Sequence, residues 1–184
     1  VLANIIFKPL SMIVPEQNQE HPRPTESVSK FKLFLLCGVL PIICFLVADW
    51  FVYPQDSISR CCILFIAIGL SGFSTDCLKY FYPKRRPNYD EMVRYDPRDA
   101  EQSFPSSHSS YATTAMLLLS LFFEEKFHYA PYTLSPLVVG GLVAYSRVRD
   151  RFHDTCDVLV SVLIGIASVM IAYQIWEVIE CYVW

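Results

Sequence analysis

Apolar residues dominate five stretches of this chain, and most of the charged residues collect in the segments between them. An α-helix needs roughly 20 predominantly apolar residues to cross the hydrocarbon core of a bilayer. The first such stretch is 32–53, with a kink expected at Pro41, which membrane helices tolerate. The second, 61–78, contains Gly69 and Gly72, small residues that let helices approach closely. The third covers 107–123, the fourth is a short one at 133–145, and the last is 157–176. Residues 1–14 are apolar but short and interrupted by Lys8 and Pro9, and 15–30 reads as a polar loop. Trp50, Tyr53, Trp176 and Trp184 fall near the predicted interfaces, where amphipathic rings are favoured. Asp49 lies near the end of the first stretch and is assigned to the interface. No internal repeat or low-complexity segment interrupts the pattern. It predicts an all-α fold, a polytopic membrane helix bundle.

Counting crossings adds geometry. The polar segment 79–105 and the charged turn 146–157 are separated by two spans, so they share one face of the membrane. The turn 53–60 and the loop 124–132 share the other. Two charged segments distant in sequence are therefore expected to meet. The excess of Lys and Arg in 79–105 would by itself place that face in the cytoplasm, but those cations have a competing chemical explanation.

Composition agrees with the pattern. Of 184 residues, 53% are hydrophobic and only 18% charged, against about a quarter charged in an ordinary soluble domain. The net charge of −3 gives no basic bias toward nucleic acid. Seven cysteines, mostly within apolar runs, read as small buried hydrophobes; their odd number and the lack of a Cys-x-x-Cys pair speak against a disulfide framework or a zinc knuckle. Cys61 and Cys62 flank a span, where acylation is conceivable. The chain begins at Val1 without a visible signal peptide, and the expectation is a fragment or a processed form.

Three constellations on the shared face carry chemistry. Lys79 and Arg86, the latter followed by Pro87, bracket a basic juxtamembrane run, which alone would more often just contact lipid headgroups. Phe104-Pro105-Ser106-Ser107-His108 opens the third stretch. Ser106 or Ser107 as a plain helix cap is the simpler reading of that motif by itself. The same placement points free backbone N–H groups at any bound phosphate. The third runs from Ser146-Arg147 to His153 and Asp157, the last two spaced i, i+4 as neighbours on one helix face.

Together these residues supply a phosphoryl-transfer site. Lys79, Arg86 and Arg147 balance the charge on phosphate oxygens, with arginine matching phosphate bidentately. His153 is the candidate nucleophile, with Asp157 accepting the proton of its other ring nitrogen. His108 is the candidate general acid, then base. Zinc held by the same histidines and Asp157 ranks lower, because the neighbouring cations suit an anion. A purely structural ion-pair network is about an even reading for one motif and a poor one for three on one face.

The ordered set Lys-x6-Arg-Pro, Pro-Ser-x-His and Ser-Arg-x5-His-x3-Asp resembles the type 2 phosphatidic acid phosphatase superfamily. The stretch from Ser74 to Lys79 and on through Arg86-Pro87-Asn-Tyr is similar to its lipid phosphate phosphatase branch. The resemblance covers about 28–176. It implies a six-helix membrane core and a metal-free phosphatase acting on lipid phosphate monoesters from the extracellular or lumenal face. It also implies that His153, His108 and Asp157 are nucleophile, acid and orienting carboxylate, and that Lys79, Arg86, Ser106 and Arg147 bind phosphate; Ser107 joins that set by position. Two departures stand out. Ser107 occupies the position of a family glycine, and five elements are visible where the family has six, which would put the first family helix upstream of Val1. On this basis 1–31 is an N-terminal segment and outer loop, 32–176 the membrane phosphatase domain and 177–184 a tail.

The expected activity is phosphate release through a phosphohistidine, without a cofactor. The expected partners are a lipid phosphate and membrane lipids, with no nucleic acid and with homo-oligomerisation left open. Three rival readings fit parts of the same pattern. They are a membrane phosphotransferase with the same His-His-Asp chemistry, a silent lipid-binding relative, and a vanadate-dependent haloperoxidase, the last disfavoured by the apolar spans. No Asn-x-Ser/Thr sequon marks the topology.

Overall fold

A computed structural model of the chain describes residues 24–51 and 57–183. The expectations for Tyr53, Trp184 and the first 23 residues lie outside the described residues, as does the side chain of Asp49. Five long helices carry the fold of the described residues. Helix α1 is assembled from α-helical Lys30–Phe34, π-helical Leu35–Val39 and α-helical Leu40–Phe51. Helix α2 is Ser57–Phe81. Two short helices follow, α3 (Tyr89–Tyr95) and α4 (Pro97–Ala100). Then come α5 (Ser107–Phe127), α6 (Ala130–Arg149) and α7 (Thr155–Val183). The described residues contain no strand, only an isolated parallel bridge between Lys84 and Gln102.

The irregularity expected at Pro41 takes a definite form. Proline offers no N–H and its ring crowds the carbonyl four residues earlier. The turn before it widens, and the Leu40 N–H bonds the Leu35 carbonyl five residues back. Cys37 and Gly38 lie in this widened turn.

Within the described residues the five expected spans are helical, and α2, α5, α6 and α7 outrun their sequence limits. The expected span 133–145 is only the middle of α6, which starts beside Pro131 and accepts Pro136 in its interior. Among the described residues three helices are long and apolar enough to cross a membrane: Lys30–Ala48, Ser57–Phe81 and Thr155–Tyr182. They leave Leu46, Phe73, Leu163 and Met170 exposed. The chain is an integral membrane protein. Helix α5 is less apolar because it is central, packed against α2, α6 and α7. Its buried residues include Ser109, Ser110, Thr114 and Ser120 beside Ala112, Ala115, Met116 and Phe122. The hydroxyls are satisfied within the bundle. Ser110 meets Ser71 of α2, Thr114 donates to the Ser110 carbonyl at 2.9 Å, and Ser120 to the Thr133 carbonyl at 2.6 Å.

Close approach of helices is made at one of the two expected glycines and at another. A Cβ on Gly72 would lie 2.6 Å from the Tyr111 hydroxyl, whereas Gly69 has nothing within 4 Å. Gly69 is therefore not a packing glycine. Gly165 of α7 packs against both a side-chain branch point and the backbone of α5, since a Cβ there would meet Thr113 Cβ at 2.8 Å and the Ser110 carbonyl at 3.0 Å. Gly165→Ala is expected to destabilise by about 1–3 kcal/mol through overpacking, partly offset by helix propensity. Gly69→Ala is expected to be neutral or slightly stabilising. Thermal unfolding of both variants in detergent checks the pair; equal behaviour of the two would contradict the packing.

Candidate active site

The segment 79–105 and the turn after α6 meet at one end of the bundle, as the crossing count requires. They close around a cavity of about 520 Å³. Its polar end is lined by Lys79, Arg86, Ser107, His108, Arg147 and His153, with Glu26 and Lys30 at the base of α1. Its apolar wall is Leu33, Phe34, Cys37 and Gly38 of α1 with Phe65 and Ile68 of α2.

Each cation is delivered by local structure. Lys79 ends α2. Arg86 is held by main-chain bonds, its N–H to the Ala100 carbonyl at 2.9 Å. Its guanidinium donates to the Asp99 carbonyl at 2.7 Å and to the Asp99 carboxylate at 2.6 Å. Arg147, in the last turn of α6, is 1% exposed; Nη1 reaches Glu26 at 3.2 Å, and Nη2 lies 3.5 Å from Asp150 without hydrogen-bonding it. Both guanidinium groups lie against the buried Phe152 ring, at 5.5 Å for Arg86 and 5.1 Å for Arg147.

His153 occupies the bend between α6 and α7, with its main-chain N–H on the Arg147 carbonyl at 3.2 Å. Burial, followed by the nearby Arg86 charge, holds its imidazole well below the ordinary histidine range and outweighs the bond to Ser103. His108, in the first turn of α5, presents a buried Nε2 that has no hydrogen-bond partner among the described residues. Ser107 lines the cavity beside it.

Two expectations need correcting. Asp157 makes no hydrogen bond to the His153 ring. Nδ1 of His153 faces the Ser103 carbonyl at 2.6 Å, and Asp157 instead receives Ser103 Oγ at 2.6 Å, Lys84 Nζ at 2.6 Å and the Asp154 N–H at 3.2 Å. The reason is where the helix begins. The i, i+4 rule applies inside a helix, and α7 starts at Thr155, after His153. Asp157 is then the third helical residue, and its carboxylate reaches back to the Asp154 N–H. Ser106 does not line the cavity either. It is the N-cap of α5, its Oγ accepting from Ser109, and its own N–H is taken by Ser161 Oγ at 2.7 Å.

Sequence reasoning missed Lys84, Asp99, Ser103, Phe152 and Glu26. Lys84 and Ser103 stand inside or beside the motifs that were read, yet only their folded positions tie them to Asp157. Burial works against the charge of Lys84, but hydrogen bonds and charge from Asp157 and Asp154 prevail and raise its pKa.

The comparisons agree with the architecture. Residues 60–180 match the PAP2 superfamily. A PA-phosphatase related-family protein of Dictyostelium discoideum is 27% identical, over 94% of this chain and 72% of its own length. Lipid phosphate phosphatase 1 of Arabidopsis thaliana is 28% identical over 76% of this chain, which spans about half (51%) of that protein. The crystal structure of Aquifex aeolicus LpxE superposes with a TM-score of 0.55 at 25% identity, covering 77% of this chain and 81% of that one. With its helical membrane bundle and the matched segment covering most of its length, this chain belongs to the PAP2 superfamily.

Proposed function

We propose that the chain is a metal-independent lipid phosphate phosphatase that works through a phosphohistidine at His153, with residues 32–176 as its catalytic domain and its site on the extracellular or lumenal face. The observation that carries this reading is a single cavity with two histidines and four cations, Lys30, Lys79, Arg86 and Arg147, toward one end and an aliphatic and aromatic wall at the other. That division matches a molecule with a phosphate head and a hydrocarbon tail. The names of the relatives point the same way, to lipid phosphates as substrates.

In this mechanism Lys79, Arg86 and Arg147 hold the phosphate oxygens, with the Ser107 end of α5 adding helix-terminus polarity. The unprotonated ring nitrogen of His153 attacks phosphorus, and the bond to the lipid oxygen breaks. His108 gives its proton to that oxygen, so the neutral alcohol departs. His108 then takes a proton from water, which attacks the phosphohistidine and releases inorganic phosphate with His153 restored.

Phosphate release from phosphatidate in detergent micelles with excess chelator is expected for the wild type. His153→Ala is expected to lose about 10³-fold or more in kcat. Full activity in that variant would overturn the mechanism. The depressed pKa of His153 has a second consequence, with a definite sign. The folded state favours the neutral ring, so its contribution to stability is complete above the unfolded histidine pKa of about 6.5 and is lost as pH falls below it. Thermal unfolding at pH 7 and pH 5 should therefore show a smaller acid-induced drop for His153→Asn than for the wild type.

A further inference from the structure

A neutral imidazole attacks through the nitrogen that carries no proton, so the partner of the other nitrogen selects the nucleophilic atom. Here that partner is a main-chain carbonyl, Ser103 O, 2.6 Å from His153 Nδ1. A carbonyl only accepts, so Nδ1 keeps the proton and Nε2 keeps the free electron pair. The firmness of this choice depends on how well the carbonyl is held. Ser103 is fully buried, and its two other polar groups are both engaged. Its N–H donates to the Lys84 carbonyl at 2.8 Å, and its hydroxyl donates to Asp157 Oδ2 at 2.6 Å. The other Asp157 oxygen takes the Lys84 ammonium at 2.6 Å, and that ammonium also reaches Asp154, next to His153, at 3.0 Å. Lys84 thus grips the arrangement twice, through its backbone and through its side chain.

We propose that Ser103 and Lys84 are positioning residues for His153: the Ser103 carbonyl fixes the ring tautomer, and the hydrogen bonds from Ser103 and Lys84 to Asp157 hold that carbonyl in place. The inference rests on the phosphohistidine reading above. Asp157 then acts on the imidazole through Ser103 and not by direct contact. Removing the hydroxyl takes a donor from a buried carboxylate and releases the carbonyl. Removing the ammonium leaves the carboxylate without its counter-charge. If the Lys84–Asp157 pair only stapled two segments together, any activity loss would follow stability and would be independent of the state of Asp157.

The test uses the whole chain in detergent, with Ser103→Ala, Lys84→Met and Lys84→Arg made alone and on an Asp157→Asn background. Ser103→Ala and Lys84→Met are expected to lower kcat about 10–100-fold, the range for losing a group that orients a functional imidazole. KM should stay within about twofold, and Lys84→Arg should recover most of the loss. On the Asp157→Asn background neither change should lower kcat further, because both act through that carboxylate. The Lys84 side chain is 40% exposed, so Lys84→Met remains a usable variant if Ser103→Ala folds poorly. Losses that add in full to that of Asp157→Asn, or a kcat within about twofold of wild type for both variants, overturn the proposal. Orthovanadate gives a second readout, since it becomes five-coordinate on the free nitrogen of a nucleophilic imidazole. Its affinity should fall about tenfold or more in both variants while that of inorganic phosphate stays level; unchanged orthovanadate binding also overturns the proposal. This arm needs no turnover. It decides the role of Ser103 and Lys84 even if the wild type releases phosphate from no lipid, the outcome that defeats the function proposed above.

Discussion

One buried carboxylate draws the polar end of the molecule together. Asp157 has no exposed surface, and an ionised carboxyl group in that position is costly unless hydrogen bonds and an opposite charge compensate. Its donors come from separate parts of the chain: Lys84, 73 positions away; Ser103, 54 away; and the main chain of Asp154. Satisfying one charge therefore pins the loop after α2 and the lead into α5 against the first turn of α7. Arg86 and Asp99 are carried along by the same loop, and His153 by the bend just before that turn. The cavity is what remains between these fixed pieces and the apolar flanks of α1 and α2.

Much of this was legible in the sequence. Apolar runs located the long helices, and the parity of their crossings correctly brought Lys79, Arg86, Arg147 and His153 to one place. The ends of elements were less legible, and the errors in the site came from there. Reading His153 and Asp157 as helical neighbours presumed a helix that had already begun, whereas the chain turns first and starts α7 at Thr155. Ser106 showed the opposite outcome: the simple capping reading describes its side chain, and its backbone N–H goes to Ser161, a partner 55 positions away that no local pattern signals. Lys84 was visible as a charge but not as a counter-charge, because pairing depends on which face of a loop turns inward.

The bilayer accounts for the low hydropathy of α5. A helix surrounded by other helices turns little surface to lipid and need not be apolar all round, so α5 can spend its positions on small hydroxyl residues that permit close contact and bond across to α2 or back to its own turns. That polarity lowers its hydropathy while Gly165 and Gly72 keep its neighbours near. The same tight seating fixes the first turn of α5, from which His108 faces the cavity.

The contact between Glu26 and Arg147 bears on how any anion would be received. The segment before α1 is fastened to the end of α6 by Ser27, whose N–H and hydroxyl both donate to Asp150, and this sets the Glu26 carboxylate on a guanidinium that is almost wholly buried. An incoming anion therefore does not meet a bare charge; it trades places with, or shares a guanidinium with, an anion the protein already supplies. Where Glu26 is displaced, the charge count around Arg147 stays nearly constant, and the free energy of binding would be set by the difference between two anions rather than by the full attraction of one. An anion bound that way would be held less tightly than by a bare guanidinium, and a product of the same charge would leave more readily.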